Sequence, residues 1–145
     1  MLISLFTGNA MLGLFGLAGA FLVSLHFYAD TEPVFYVFTH AQSTGKFLQT
    51  KIKIAVRYAS YIILPFAIPQ LIVFPEEVYP LLVIILLGIL YILVCLLAKY
   101  SDFPDQIKLN HMLKLTLGVV FPPALLFLIP YFYSRAKRKL NTYLK

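Results

Sequence analysis

Four long apolar runs fill most of this chain, and no Asp or Glu interrupts any of them. Leu2–Tyr28 and Val78–Ala98 carry no charged side chain, Tyr58–Phe74 follows a basic stretch, and Leu115–Tyr133 leads into a basic tail. About 20 helical residues cross the hydrocarbon core of a bilayer, so each run is long enough to span it. The expected fold is all-α: a polytopic transmembrane helical bundle of about four spans, some kinked by proline. The spans are placed at about 2–28, 54–74, 79–98 and 113–133, with a basic C-terminal tail over 134–145.

Composition agrees with that reading. Hydrophobic residues make up 61% of the chain and charged residues 12%, where a soluble domain carries roughly a quarter charged residues. One membrane domain accounts for all 145 residues and leaves no room for a soluble catalytic domain. The net charge of +6 comes from basic residues beside the apolar runs. That placement suits anionic lipid head groups and cytoplasmic loops better than nucleic acid. The lone Cys95 lies inside an apolar run, with no partner for a disulfide, and reads as a small buried hydrophobe. The N-terminal run lacks a basic leader and outruns a signal peptide's apolar segment.

Several local patterns carry structural meaning. Gly13, Gly16 and Ala20 fall near one helical face of the first run and let a neighbouring helix approach closely. Residues 29–53 form the longest polar segment: a break at Glu32-Pro33, an apolar aromatic stretch, a turn at Gln42–Gly45, then a basic helix from Lys46 to Arg57. Phe47, Ile54 and Tyr58 opposite Lys46, Lys53 and Arg57 give that helix partial amphipathicity. It is either an interfacial helix or an ordinary helix end with flanking charges. Pro65 and Pro69 should kink or partly unwind the second span, and Pro122 and Pro123 the last. Tyr28, Tyr58, Tyr79, Tyr100, Tyr131 and Tyr133 stand at span ends, as an interfacial aromatic belt would.

Charge conflicts with four full spans. The basic tail from Arg135 to Lys139 should face the cytoplasm. Four crossings put it beside the acidic Glu76-Glu77 connector and opposite the basic Lys46–Arg57 stretch. A re-entrant run removes the conflict, and the double-proline segment is the first candidate for it.

Motifs for chemistry are absent from the sequence. No nucleophile motif, carboxylate pair or phosphate-binding glycine loop is present. His26 lies near a span end, and His40 and His111 are read as loop residues, none with a second ligand at metal spacing. The expectation is a chain that is not an enzyme and holds no cofactor and no metal.

Lys46-Phe47-Leu48-Gln49-Thr50-Lys51 leading into a proline-bearing span resembles a segment of type-two ABC exporter membrane subunits, closest to the versions common in Bacteroidota. The later Ala98–Pro104 stretch, Phe121–Tyr133 and the basic terminus fit the same pattern, so the resemblance runs from about Asp30 to the C-terminus. It implies about six spans, a homo- or hetero-oligomer and a separate ATPase chain. With about four spans, this chain corresponds to the C-terminal part of such a permease or to a reduced relative. Phe35, Lys46, Phe47, Lys51 and Lys53 would then belong to the segment that contacts the ATPase. The alternative is a small structural or assembly subunit of a membrane complex, docking through the glycine face of the first span.

Overall fold

A computed structural model describes residues 4, 7–29, 32–33, 35, 37, 43–105, 107 and 109–142. The described chain is helical, and its first span opens later than the apolar run does. Gly8 adopts a positive φ of 63°, a conformation that costs glycine little. Asn9 then accepts a hydrogen bond from the Met11 amide at 3.0 Å, and helix α1 runs from Ala10 to Ala29. Helix α2, Thr44–Val73, is capped by the Ser43 side chain, which accepts from the Lys46 amide. A short 3-10 turn, Pro75–Glu77, joins it to α3, Val78–Asp102. Helix α4 covers Leu109–Val120, and α5 covers Ala124–Asn141. Three helices, α1, α2 and the turn-plus-α3 unit, are long and apolar enough to cross a membrane. Their outer faces carry large exposed side chains such as Phe15, Ile72 and Leu86, as lipid contact requires.

Helix α2 runs unbroken for 30 residues through Pro65 and Pro69. Its inward face is built of Leu48, Ala55, Ala59, Ile63, Ala67 and Gln70, a stripe at spacings of three, four and seven. Small residues therefore make the approach, while Ile54 and Tyr58, expected on an apolar face with Phe47, point outward. The glycines work in the same way. A Cβ on Gly13 would sit 1.9 Å from Oε1 of Gln70, and one on Gly88 2.4 Å from the Phe21 ring. Gly13 is buried by α2, whereas Gly16 and Ala20 are half-buried.

The run expected as a fourth span, 113–133, is divided between two helices. Helix α4 ends at Val120, Phe121–Pro123 form the turn, and α5 begins at Ala124. Neither proline can donate a backbone hydrogen bond, so the helical ladder breaks there. The two arms fold back on each other. His111 stacks edge-on against Phe132 with centroids 5.0 Å apart, Lys114 donates to the Tyr131 hydroxyl at 2.8 Å, and Gly118 lies against Leu125. Position falls on one arm as it rises on the other, which defines an antiparallel hairpin.

The height of that hairpin is set by α3, the central helix, which packs on α1, α2 and α5. His111 at the hairpin's base bonds Asp102 at the end of α3. Near its tip, Gly118 faces the Tyr91 ring, whose hydroxyl reaches back to donate to the Leu115 carbonyl. Eleven residues of helix, about 16 Å, separate those two levels. The hairpin thus climbs roughly halfway along α3 and returns. Burial follows it: α3 is buried at every position from Val94 to Asp102, whereas Leu82, Val83 and Leu86 are exposed.

Candidate functional site

The polar chemistry of the described residues gathers at one end of the bundle, where α1 gives way to α2, α3 ends, and the hairpin opens. Glu32 is its first hub. One carboxylate oxygen accepts from Lys51 at 2.7 Å, and the other from Lys99 at 3.4 Å and from the Tyr100 hydroxyl at 3.0 Å. Three segments distant in sequence are tied together by one side chain. Half-burial of this carboxyl works to raise its pKa, but the Lys51 hydrogen bond, the charges of Lys99 and Lys51 and the Tyr100 hydroxyl together hold it below the ordinary value.

A second cluster lies at the hairpin's base. His111 and Asp102 are both buried, with Nδ1 2.6 Å from Oδ2. Ser101 Oγ lies 3.4 Å from the same His111 nitrogen and donates to the Ala98 carbonyl at 2.7 Å. A serine nucleophile needs its base through one ring nitrogen and the orienting carboxylate on the other. Here both neighbours converge on Nδ1, so the trio locks α4 to α3 and has no relay geometry. A third tie, Thr44 Oγ1 to Asn141 Oδ1 at 2.5 Å, fastens the end of α5 to the start of α2.

Beside these ties, a cleft of about 370 Å3 opens between the ends of α3 and α5. Arg135, Arg138 and Lys139 line it with Ser101, Tyr131 and Thr142. Higher up, at the hairpin tip, an apolar groove of about 410 Å3 lies between α1, α3 and the hairpin, bounded by Phe21, Leu25, Gly88, Tyr91, Val119 and Pro122. Among the described residues, no group of three or more His, Cys, Asp or Glu stands where a metal could be held.

The residues expected to contact an ATPase divide into two sets. Phe35, Lys46 and Lys53 are exposed. Phe47 is buried, edge-on against Tyr100 at 5.3 Å, and Lys51 is engaged by Glu32. Tyr100, expected in the aromatic belt, is fully buried. Lys99, just past the expected end of the third span, is a buried helical residue, and His111, expected in a loop, is helical as well. His40 lies outside the described residues. Neither the Glu32 hub nor the Asp102–His111 lock follows a periodic pattern. Glu32 reaches Lys99 and Tyr100 across 67 and 68 positions, so no local signal announces it.

No family model, curated protein or solved structure matches the chain.

Proposed function

We propose that this chain is the membrane-embedded permease part of an ABC-type exporter in a bacterial inner membrane, powered by a separate ATPase chain. The observation that carries the reading is the gathering of basic groups toward one end. Lys46, Lys51, Lys53 and Arg57 stand on the first half of α2, Lys99 near the end of α3, Lys114 on the hairpin, and Arg135, Lys137, Arg138 and Lys139 on the last turns of α5. Glu76 and Glu77 sit at the opposite end. Three spans and a half-depth hairpin put the α1–α2 segment and the tail on the same side, which the positive-inside rule makes cytoplasmic.

That side also carries an overhang. Thirty helical residues make α2 about 45 Å long, against about 30 Å of hydrocarbon. Its first turns therefore project beyond the bilayer with Lys46 and Lys53 outward, a stiff polar element of the kind a soluble motor could grip. The apolar groove at the hairpin tip suits an amphipathic cargo better than an ion. The scaffold alternative leans on a free glycine face, and Gly13 is already occupied by Gln70 from within the chain.

Affinity purification from detergent-solubilised membranes tests the reading. The expected result is a stoichiometric ATPase with the unmodified chain and none with Lys46→Glu/Lys53→Glu. Lys51 is left intact because its reversal would break the Glu32 bridge. A stable complex that contains no ATPase would overturn the transporter reading and favour the scaffold.

A further inference from the structure

We infer that the cleft between α3 and α5 is a binding site for a phosphate-bearing anionic headgroup of a membrane lipid. Three cations line it, and among the described residues no carboxylate stands within ion-pairing distance of Arg135, Arg138 or Lys139. The one acid in the wall, Asp102, turns an oxygen to His111 at 2.6 Å. Arg138 and Lys139 also complement the dipole at the end of α5. That role does not extend to Arg135, which lies a turn further up the helix, or to the hydroxyls of Tyr131 and Thr142. Guanidinium forks with neutral hydroxyl donors are the groups that recognise phosphate oxygens.

The cations are held in place before any ligand arrives. Phe132, Ala136 and Leu140 bury the adjoining face of α5, and the Asn141–Thr44 bond fixes its end. A charge run on a frayed tail would have to be ordered on binding; this one is presented by a docked helix. The volume, about 370 Å3, admits a headgroup.

The order of residues along α5 identifies a lipid as the source of the phosphate. Leu126 and Phe127 are exposed apolar residues, Tyr131 follows a turn later, and the cations come about one to two turns after that. Phe127 to Arg138 is about 16 Å of helix. Hydrocarbon, interface and headgroup layers follow one another in the same sequence in a leaflet. This inference does not depend on the exporter reading, because it needs no ATPase.

Native mass spectrometry of the intact detergent-solubilised chain tests it, with dioctanoyl phosphatidylglycerol, dioctanoyl phosphatidylcholine and inorganic phosphate as separate probes. The expected result is a single-lipid adduct with phosphatidylglycerol that phosphatidylcholine does not match. Arg135→Gln/Arg138→Gln/Lys139→Gln should weaken it by on the order of 100-fold. Lys46→Gln/Lys53→Gln/Lys137→Gln, an equal loss of charge outside the cleft, should leave it nearly unchanged. The single variant Arg138→Gln, at an exposed position, should weaken it partially with an unchanged helical circular dichroism spectrum. Equal weakening by both triple variants would reduce the effect to diffuse attraction and overturn the site, as would equal binding of the two lipids. Displacement of the lipid by inorganic phosphate, with the same dependence on Arg135, Arg138 and Lys139, would keep the anion cleft and overturn the lipid as its source.

Discussion

Glu32 shows how much one side chain can hold. It joins the loop after α1 to Lys51 of α2 and to Lys99 and Tyr100 of α3. Glu32→Gln keeps the shape and removes the charge, leaving half-buried Lys51 and buried Lys99 without their partner. A loss of about 1–3 kcal/mol is expected, read as a lower unfolding midpoint in detergent at neutral pH. The pH dependence has a definite sign. Because the folded carboxyl is held below its ordinary value, its stabilisation is present above that value and fades as pH falls through the folded one. The unmodified chain should therefore lose stability on the acid side, and Glu32→Gln should flatten that loss. A second residue-scale prediction concerns close packing. Gly88→Ala would drive a methyl into the Phe21 ring and should destabilise by about 1–3 kcal/mol, whereas Gly19→Ala meets open space and should be nearly neutral. Thermal melts of the two variants side by side check this.

The hairpin of α4 and α5 is held at its base by Asp102 and His111 and midway along α4 by Tyr91. Asp102→Ala would leave a buried imidazole without that carboxylate, so α4 should open locally before the rest of the bundle. Hydrogen exchange is expected to speed up across Leu109–Val120 while α1 and the first half of α3 keep their protection. Uniform loss of protection would mean that the lock serves the whole bundle instead. The elements differ in how far the sequence announced them. Apolar runs without a single acid marked α1, α2 and α3, since lipid permits little else. The Pro122-Pro123 pair marked a break because two residues in a row lose their amide donors. Where the broken run would turn was not legible, because the levels are fixed by Asp102–His111 and Tyr91–Leu115, contacts between helices. The inward face of α2 was legible in its small residues, since membrane helices approach through them and Ala55, Ala59 and Ala67 recur at helical spacing. Ile54 and Tyr58, grouped with Phe47 as one apolar face, part from it: they are exposed while Phe47 is buried. Lys51 and Phe47 looked like an outward-facing motif with Lys46, yet only Glu32 and Tyr100, brought in by the fold, turn them inward.

For the whole molecule, the hairpin decides topology. Three crossings and a half-depth return would put the α1–α2 segment, the α3 end and the tail on one face of the membrane, and the Pro75–Glu77 turn on the other. Four full crossings would instead put the tail with that acidic turn. The exporter reading and the lipid cleft both need the first arrangement, since one uses the α2 overhang and the other the cations of α5 on the same side. The buried Cys95 is the one native thiol, so a Cys95→Ala background accepts single reporters at exposed positions. Gln49→Cys, Glu76→Cys and Lys137→Cys should then be labelled with a membrane-impermeant maleimide, from each side of sealed vesicles in turn. Labelling of positions 49 and 137 from the same side, with 76 from the opposite side, is the predicted result; labelling of 137 together with 76, and apart from 49, would contradict it.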